Sequence, residues 1–396
     1  MGMQRGVGYS QDADSRRAGR RIAELALEAM AGRTPDILLL FATVGHDIPT
    51  LLSGIREVVG DVPLVGCSGA GIFSGLGADE ATHSAALLGV AAPRIRFSPF
   101  LVEGLSRDPE AVGRDIGRRV AAEKIPEDAP HFVMLLPDGL TVNGDRLLAG
   151  IEAGAGRHVD CVGGTAGNDY RFSETLQFGE GRATRDAVAG LVVSGALNYE
   201  IGVSHGSEAV GLFRTATRAR RNVVYEIDGR PAVELLRTFL GEERLSDLGQ
   251  VINLFELGEA FEERGYSGDI INRAIIGLDP EAGSITLGAE VAEGAKIRLT
   301  RRDPDRVLAG TRSVAAQVMD GLDRPDEAAL IYFNCSGRGA YLFGDSEPDV
   351  DILASALGPA AAPIGFFCFG EIAPVAGQNH FHNYTGVLLG FEERDG

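Results

Sequence analysis

Three runs decide what this chain can fold into: DILLLFA (36–42), HFVMLLPDG (131–139) and ALIYF (329–333). None alternates polar with apolar residues, so each reads as a strand buried on both faces. Such a strand needs a covering layer on either side, and helical patterns supply it. Over Asp14–Ala31, Ile22, Leu25, Ala26 and Ala29 fall at helical spacing. Asp108-Pro109 and Asp303-Pro304 are helix starts, a capping carboxylate followed by proline in the first turn. Pro49 opens a short helix, another spans about Asp145–Ala153, and Ser346 caps one ending at Gly358. Strands alternate with helices, and paired strands are interleaved among them. The expected fold is α/β, in the mixed α+β sense: two related lobes, each a largely buried sheet with flanking helices and glycine-rich turns at strand ends.

A length of 396 residues suits two or three compact units. Residues 1–33 read as an N-terminal helical segment. A second unit begins near residue 215, where YEIDGRPAVELLRTFLG has a turn at Asp228-Gly229, a helix opened by Pro231 and a stop at Gly241. The stretch Gly241–Gly268 is acidic and weakly periodic.

Charge excludes some partners. Lys and Arg number 37 against 56 Asp and Glu, a net of −19, which repels nucleic acid and anionic membranes. The basic run RTATRARR (Arg214–Arg221) is short and lacks aromatic interleaving, so it reads as a solvated face or linker. No apolar run reaches the ~20 residues of a membrane helix, and MGMQRGVGYSQDADSRR lacks a signal-peptide core. The expected compartment is the cytoplasm. Cys67, Cys161, Cys335 and Cys368 show no CxxC spacing and should be thiols there.

Four turns rhyme: PLVGCSGAGIFSG, VDCVGGTAGND, YFNCSGRGAYLFG and PIGFFCFGEIAPV. Each is a short apolar strand running into small residues, a cysteine and glycines, a weak internal repeat. Ligands of α/β sheets sit beyond strand ends, and successive N–H groups at such bends form a nest for an anion. The candidate binding residues are therefore Cys67, Ser68 and Gly69 in front, Asn334, Cys335, Ser336 and Gly337 behind, Gly370 beside them, and His380 and His382 as histidines lining the pocket. Arg338 could grip a carboxylate with two prongs, and Glu371 could answer a positive charge. The set suits a small zwitterion or polar metabolite.

Two enzymatic readings compete. Cys335 could be a nucleophile, activated by Arg338 and served by His380 or His382 as base. His380 and His382, two apart, could also begin a metal site with Cys368 or Glu371. No nucleophile elbow accompanies the first and no complete ligand set the second, so neither a catalytic residue, a metal nor a cofactor is expected. GCSGAGIFSG has neither the Rossmann spacing nor a P-loop GKS.

From about residue 34 onward, GCSGAG resembles the signature of the FIST N-terminal domain. YEIDGRPAVELL, CSGRG and GFFCFGEIAP followed by HFHNYTGVLL resemble successive signatures of the FIST C-terminal domain. The name abbreviates F-box and intracellular signal transduction. The resemblance implies an N-terminal domain over 34–214, a C-terminal domain over 215–396, and a sensory module binding a small ligand of the amino-acid class. It gives no catalytic residue. With no output domain recognisable, a separate signalling protein is the expected recipient of the signal.

Overall fold

In the computed structural model, residues 2–394 are described except 76, 81, 171–172, 246–248, 250, 252–253, 261–269, 346 and 359. Ser346, the expected helix cap, and much of the acidic 241–268 stretch lie outside the described residues.

The expected mixed α/β fold is present, and its repeat is larger than the turns that hinted at it. The front half holds two copies of one unit. The first runs β1 (Gln4–Ser10), α1 (Ser15–Ala29), β2 (Ile37–Ala42), α2 (Ile48–Val59), β3 (Leu64–Ser68), a hairpin of β4 (Ile72–Ser74) and β5 (Gly77–Asp79), then β6 (Ala85–Ala91). The second runs β7 (Ile95–Glu103), α3 (Pro109–Ala122), β8 (His131–Pro137), α4 (Gly144–Ala155), β9 (Asp160–Gly164), a hairpin of β10 (Gln177–Gly179) and β11 (Arg182–Thr184), then β12 (Ala187–Gly195).

The back half holds a third copy, interrupted after β13 (Leu197–Ser204) by an insertion. The insertion comprises β14 (Ser207–Arg220), β15 (Val223–Ile227), β16 (Arg230–Pro231), α5 (Val233–Leu245), β17 (Glu256–Ala260), β18 (Ile270–Asp279), β19 (Ser284–Leu287) and β20 (Lys296–Arg302). The unit resumes with α6 (Pro304–Gly321), β21 (Ala329–Cys335), α7 (Ala340–Phe343), α8 (Glu347–Leu357), β22 (Ile364–Cys368), a hairpin of β23 (Glu371–Val375) and β24 (Gln378–His382), and β25 (Gly386–Glu393).

The copies are closed into a ring by exchanging hairpins. The three sheets run β1-β6-β2-β3-β10-β11, β7-β12-β8-β9-β23-β24 and β13-β25-β21-β22-β4-β5. Each unit thus completes a neighbour's sheet with its own hairpin. The inner faces meet in one core holding Phe41, Cys67, Met134, Val162, Phe333, Phe366 and Cys368, while helices cover the outer faces. Covering on both sides is why the central strands are unbroken apolar runs. The repeat extends to detail. Asp14, Asp108 and Asp303 each accept a hydrogen bond from the backbone N–H three residues on, capping α1, α3 and α6 alike. Gly66, Gly163 and Gly365 occupy matching places. At each, a Cβ would overlap the carbonyl oxygen of the facing strand, at Leu40, Leu135 and Tyr332 respectively.

The insertion is a sheet of its own, β14-β20-β17-β18-β19-β15-β16, closed into a barrel by pairing of β14 with β15. Two local expectations need correction. Residues 1–33 are not only helical, since Gln4–Ser10 is an edge strand ahead of α1. Gly241 breaks the helical dihedrals, with φ 74°, but the helix resumes to Leu245.

Candidate functional site

The turn after β21 is built inward. Cys335 ends the strand, Ser336–Arg338 make one 3₁₀ turn, and α7 follows. Arg338 is fully buried and its guanidinium has its partners inside the protein. It donates to Asp349 Oδ2 at 3.1 Å, Thr311 Oγ1 at 2.8 Å, the Tyr332 hydroxyl at 3.1 Å and Ser204 O at 2.5 Å. Burial opposes the charge, but Asp349 holds Arg338 above its ordinary value. The anion that Arg338 grips is therefore Asp349 of α8, and the expected grip on a ligand is corrected. Asn334 joins the same carboxylate through Nδ2 at 3.0 Å.

Glu371 does not face Arg338 across a cleft. Its carboxyl is buried, accepting from Cys368 Sγ at 3.2 Å, from Thr385 N at 3.0 Å and from the Cys335 thiol. Burial pushes it up to about 8. Burial also raises the thiols of Cys335, Cys368 and Cys67. A nucleophilic Cys335 needs the opposite shift, and the Arg338 guanidinium is spent on Asp349, Thr311, Tyr332 and Ser204.

The glycine turns are also closed. Ser68 Oγ donates to Gly167 O at 2.7 Å and accepts from Leu176 N at 3.0 Å. Gly69 N donates to Ala42 O, Ala70 N to Phe367 O, and Gly370 O accepts from Thr165 N. The back turn receives a carboxylate of the protein's own: Ala340 N donates to Glu80 Oε1 at 2.8 Å. The expected open anion nest is thus packed shut around Cys67–Gly69 and closed by Glu80 behind Ser336 and Gly337.

His380 and His382 sit on β24, ring centroids 6.0 Å apart. Burial lowers them to about 4 and about 3, so both are neutral at physiological pH. His382 Nε2 meets Ala373 O at 3.2 Å. Among the described residues, no three His, Cys, Asp or Glu side chains are placed together to hold an ion.

Open space lies one layer away. A cleft of about 550 Å³ is bounded by the β13–β14 junction, α6 and the β23–β24 turn. Ser204, His205, Ser207, Arg306, Ser313 and Gln317 supply its polar wall. Burial, with the charges of Arg338 and Arg298, lowers His205 to about 4, and its neutral Nδ1 accepts from Ser207 N at 2.9 Å. Arg306 brings a largely exposed cation, paired with Glu208 at 3.8 Å.

Two routes of polar contacts lead from this wall to the turn after Cys335, one a direct hydrogen bond and the other running through an ion pair. Ser204 O accepts directly from Arg338. Ser207 Oγ donates to Glu256, at 3.1 Å from each oxygen, Glu256 pairs with Arg302 at 3.7 Å, and Arg302 donates to Gly337 O at 2.5 Å. Arg302 also lies 4.2 Å from the Tyr384 ring centroid, and Tyr384 N donates to Cys335 Sγ. Sequence reasoning found the far end of these routes and missed the near end. Ser, Gly and Gln lining a cleft carry no signature. The SHGS break between β13 and β14 was the available signal.

Comparison with known proteins decides the family. The FIST N domain matches residues 36–230 and the FIST C domain residues 232–374. The chain belongs to the FIST family. The boundary between the two matches follows β16, inside the inserted barrel. Among relatives of this FIST protein, an uncharacterized protein of Mycobacterium tuberculosis (strain ATCC 25618 / H37Rv) is 29% identical over 405 residues, covering 98% of this chain and 100% of the relative. An uncharacterized protein of Mycobacterium bovis is 27% identical over 403 residues, covering 98% and 99%. One from Methanocaldococcus jannaschii is 26% identical over 217 residues, covering 53% and 42%. A cyanuric acid hydrolase from A. caulinodans aligns over 100% of both chains at 12% identity, with a TM-score of 0.37. FIST domains are associated with sensing in signal transduction. No helix among the described residues is long and apolar enough to cross a membrane.

Proposed function

We propose that this FIST protein is a cytoplasmic sensor that binds a small polar metabolite of the amino-acid class and passes the signal to a separate protein. The ligand sits in the cleft between β13–β14, α6 and the β23–β24 turn. The observation that carries this reading is the pair of routes from the cleft wall to one turn, through Ser204–Arg338 and through Ser207–Glu256–Arg302. About 550 Å³ is within the usual range for a small-molecule site. A ligand carboxylate would compete with Glu208 for Arg306, and Ser313 offers a hydroxyl on the same wall. A ligand shifts a protein only by favouring one arrangement over another. A guest that pulls on Ser207 changes the partner of Glu256, and with it the position of Arg302 against Gly337.

The test is a thermal-shift panel of amino acids and related small carboxylates, run on wild type and on Ser313→Phe. Ser313 is exposed on the cleft wall, so phenylalanine fills the space without entering the core. At a ligand concentration of about 100 Kd, stabilisation of about 2.7 kcal/mol is expected in wild type and none in the variant. A panel without a stabiliser, or one equally effective on Ser313→Phe, removes the cleft as the site.

A further inference from the structure

Two of the four buried thiols sit side by side. β21 and β22 run parallel, and Cys335 is the register partner of Cys368 at the end of the pair. Phe333 and Phe366, two residues before each, point into the inner core, so both cysteines face the same side. Neighbouring strands lie about 4.8 Å apart, within the roughly 4.4–6.8 Å that the Cα atoms of a disulfide span. Cys368 Sγ leans toward β21, 3.2 Å from Asn334 O, the carbonyl that precedes Cys335. The Glu371 carboxyl touches both sulfurs, accepting from Cys368 at 3.2 Å and from the Cys335 thiol.

Cys335 is the member a small molecule meets first. It is 5% exposed, against 0% for Cys67, Cys161 and Cys368. Two backbone N–H groups meet its sulfur: Tyr384 N donates at 3.3 Å, and Gly337 N bonds to it as well. Such donors favour the thiolate once it forms. Burial keeps the resting group a thiol, so a base has to take its proton. Glu371 is in contact, and burial makes its carboxylate a stronger base than an ordinary glutamate.

We propose that Cys335 and Cys368 form an oxidation site, a dithiol that small hydroperoxides convert to a disulfide and that reducing dithiols restore. Glu371 takes the Cys335 proton and the sulfur attacks the peroxide. An S–O bond forms, the O–O bond breaks, and the departing oxygen takes up that proton as alcohol or water. Cys368 then attacks the sulfenic sulfur. The S–S bond forms, the S–O bond breaks, and hydroxide leaves with the Cys368 proton as water. The peroxide gains the two electrons that the sulfurs lose. The disulfide ends the donation from Cys368 to Glu371 and draws the Cys335 sulfur toward β22, away from Tyr384 N, which lies on the β25 side of β21. Tyr384 holds φ 56°, rare for a bulky residue, and its ring packs against Gly337 and lies 4.2 Å from the Arg302 guanidinium. Oxidation is thus felt at the turn after Cys335, whether or not the cleft holds a ligand.

The test treats the full native chain with hydrogen peroxide, quenches in acid, alkylates in denaturant and maps the peptides by mass spectrometry. Hydrogen peroxide is small enough to reach a sulfur from which bulky thiol reagents are kept. The expected result is a loss of two hydrogens from the intact mass, a Cys335–Cys368 cross-link and full alkylation of Cys67 and Cys161, with the cross-link reversed by dithiothreitol. Cys368→Ser should stop at a sulfenic acid on Cys335, trapped by dimedone, and Glu371→Gln should slow the reaction roughly tenfold or more. A melting scan confirms that both variants are folded, and the wild-type cross-link decides the matter if either is not. Amide exchange at 336–340 and 384–385 should be faster in the oxidised protein than in the reduced one. A Cys67–Cys368 cross-link in its place, or oxidation of all four cysteines alike, overturns the proposal. So do native thiols that survive a peroxide treatment sufficient to oxidise the unfolded chain, or a turn whose exchange ignores the disulfide.

Discussion

Removing Asp349 should nearly unfold this protein, and the structure says why. Its carboxylate and the Arg338 guanidinium are both fully buried, 3.1 Å apart. Asp349 also accepts from the Tyr332 hydroxyl at 3.1 Å, from Asn334 Nδ2 at 3.0 Å and from Thr311. Asp349→Ala leaves a buried cation without its counter-charge, which costs about 3–5 kcal/mol. Orphaned donors add about 1–3 kcal/mol each where they cannot find one another. A loss of at least about 4 kcal/mol is expected, against a typical total of ~5–15 kcal/mol. Replacing both partners, Arg338→Met with Asp349→Leu, removes the charges together and should be milder than Asp349→Ala by about 2 kcal/mol or more. Urea unfolding of wild type, Arg338→Met, Asp349→Leu and the double variant, followed by far-UV circular dichroism, closes the cycle, with Asp349→Ala measured beside it. Additive effects, or an Asp349→Ala variant within about 1 kcal/mol of wild type, refute the reasoning. That outcome would return Arg338 to candidacy as a ligand grip.

Other consequences follow from the same interior. Burial raises Glu371 to about 8 and Glu256 to about 7, above their unfolded value near 4.5. The folded state then holds more protons than the unfolded one between those values, so stability is fullest below about pH 4.5 from these groups and falls as pH rises toward 8. Glu371→Gln should flatten that decline in melting temperature measured from pH 5 to 9, and an unchanged slope contradicts the assignment. Cys67, Cys161, Cys335 and Cys368 are all buried. They should resist Ellman's reagent in the native protein and react together in denaturant, whereas one fast native thiol would revive the cysteine-enzyme reading. Gly365→Ala drives a methyl group into the Tyr332 carbonyl and should cost several kcal/mol. Gly344→Ala has open space and only its φ of 78° to strain, for a loss of about 1 kcal/mol. Chemical denaturation ranks the two, and similar losses contradict the close approach.

Much of the frame could be read from local chemistry. Asp108-Pro109 and Asp303-Pro304 opened helices because a capping carboxylate and a pre-set φ act over one turn. DILLLFA and HFVMLLPDG became central strands because burial on two faces leaves an unbroken apolar run. Hairpin exchange was not legible. β4 pairs with β22 across almost 300 positions, from Ile72 to Phe366, and nothing in Ile72–Ser74 names its host sheet. The short strand β1 was also hidden, its GVGYS run too glycine-rich to announce an edge strand. At the site, the turns were found and their role was not. CSGRG looks the same whether its arginine faces solvent or a buried Asp349 eleven residues later. The cleft residues Ser204, Ser207 and Ser313 acquire meaning only when β13, β14 and α6 are brought together.

Hydrogen–deuterium exchange with and without the strongest stabiliser from the panel tests the link between cleft and turn most directly. Slowed exchange is expected in residues 203–207 and 306–317 and, at a distance, in 336–340, with the distant effect lost in Glu256→Gln. Protection confined to some other surface, or a turn indifferent to the bound ligand, contradicts the account.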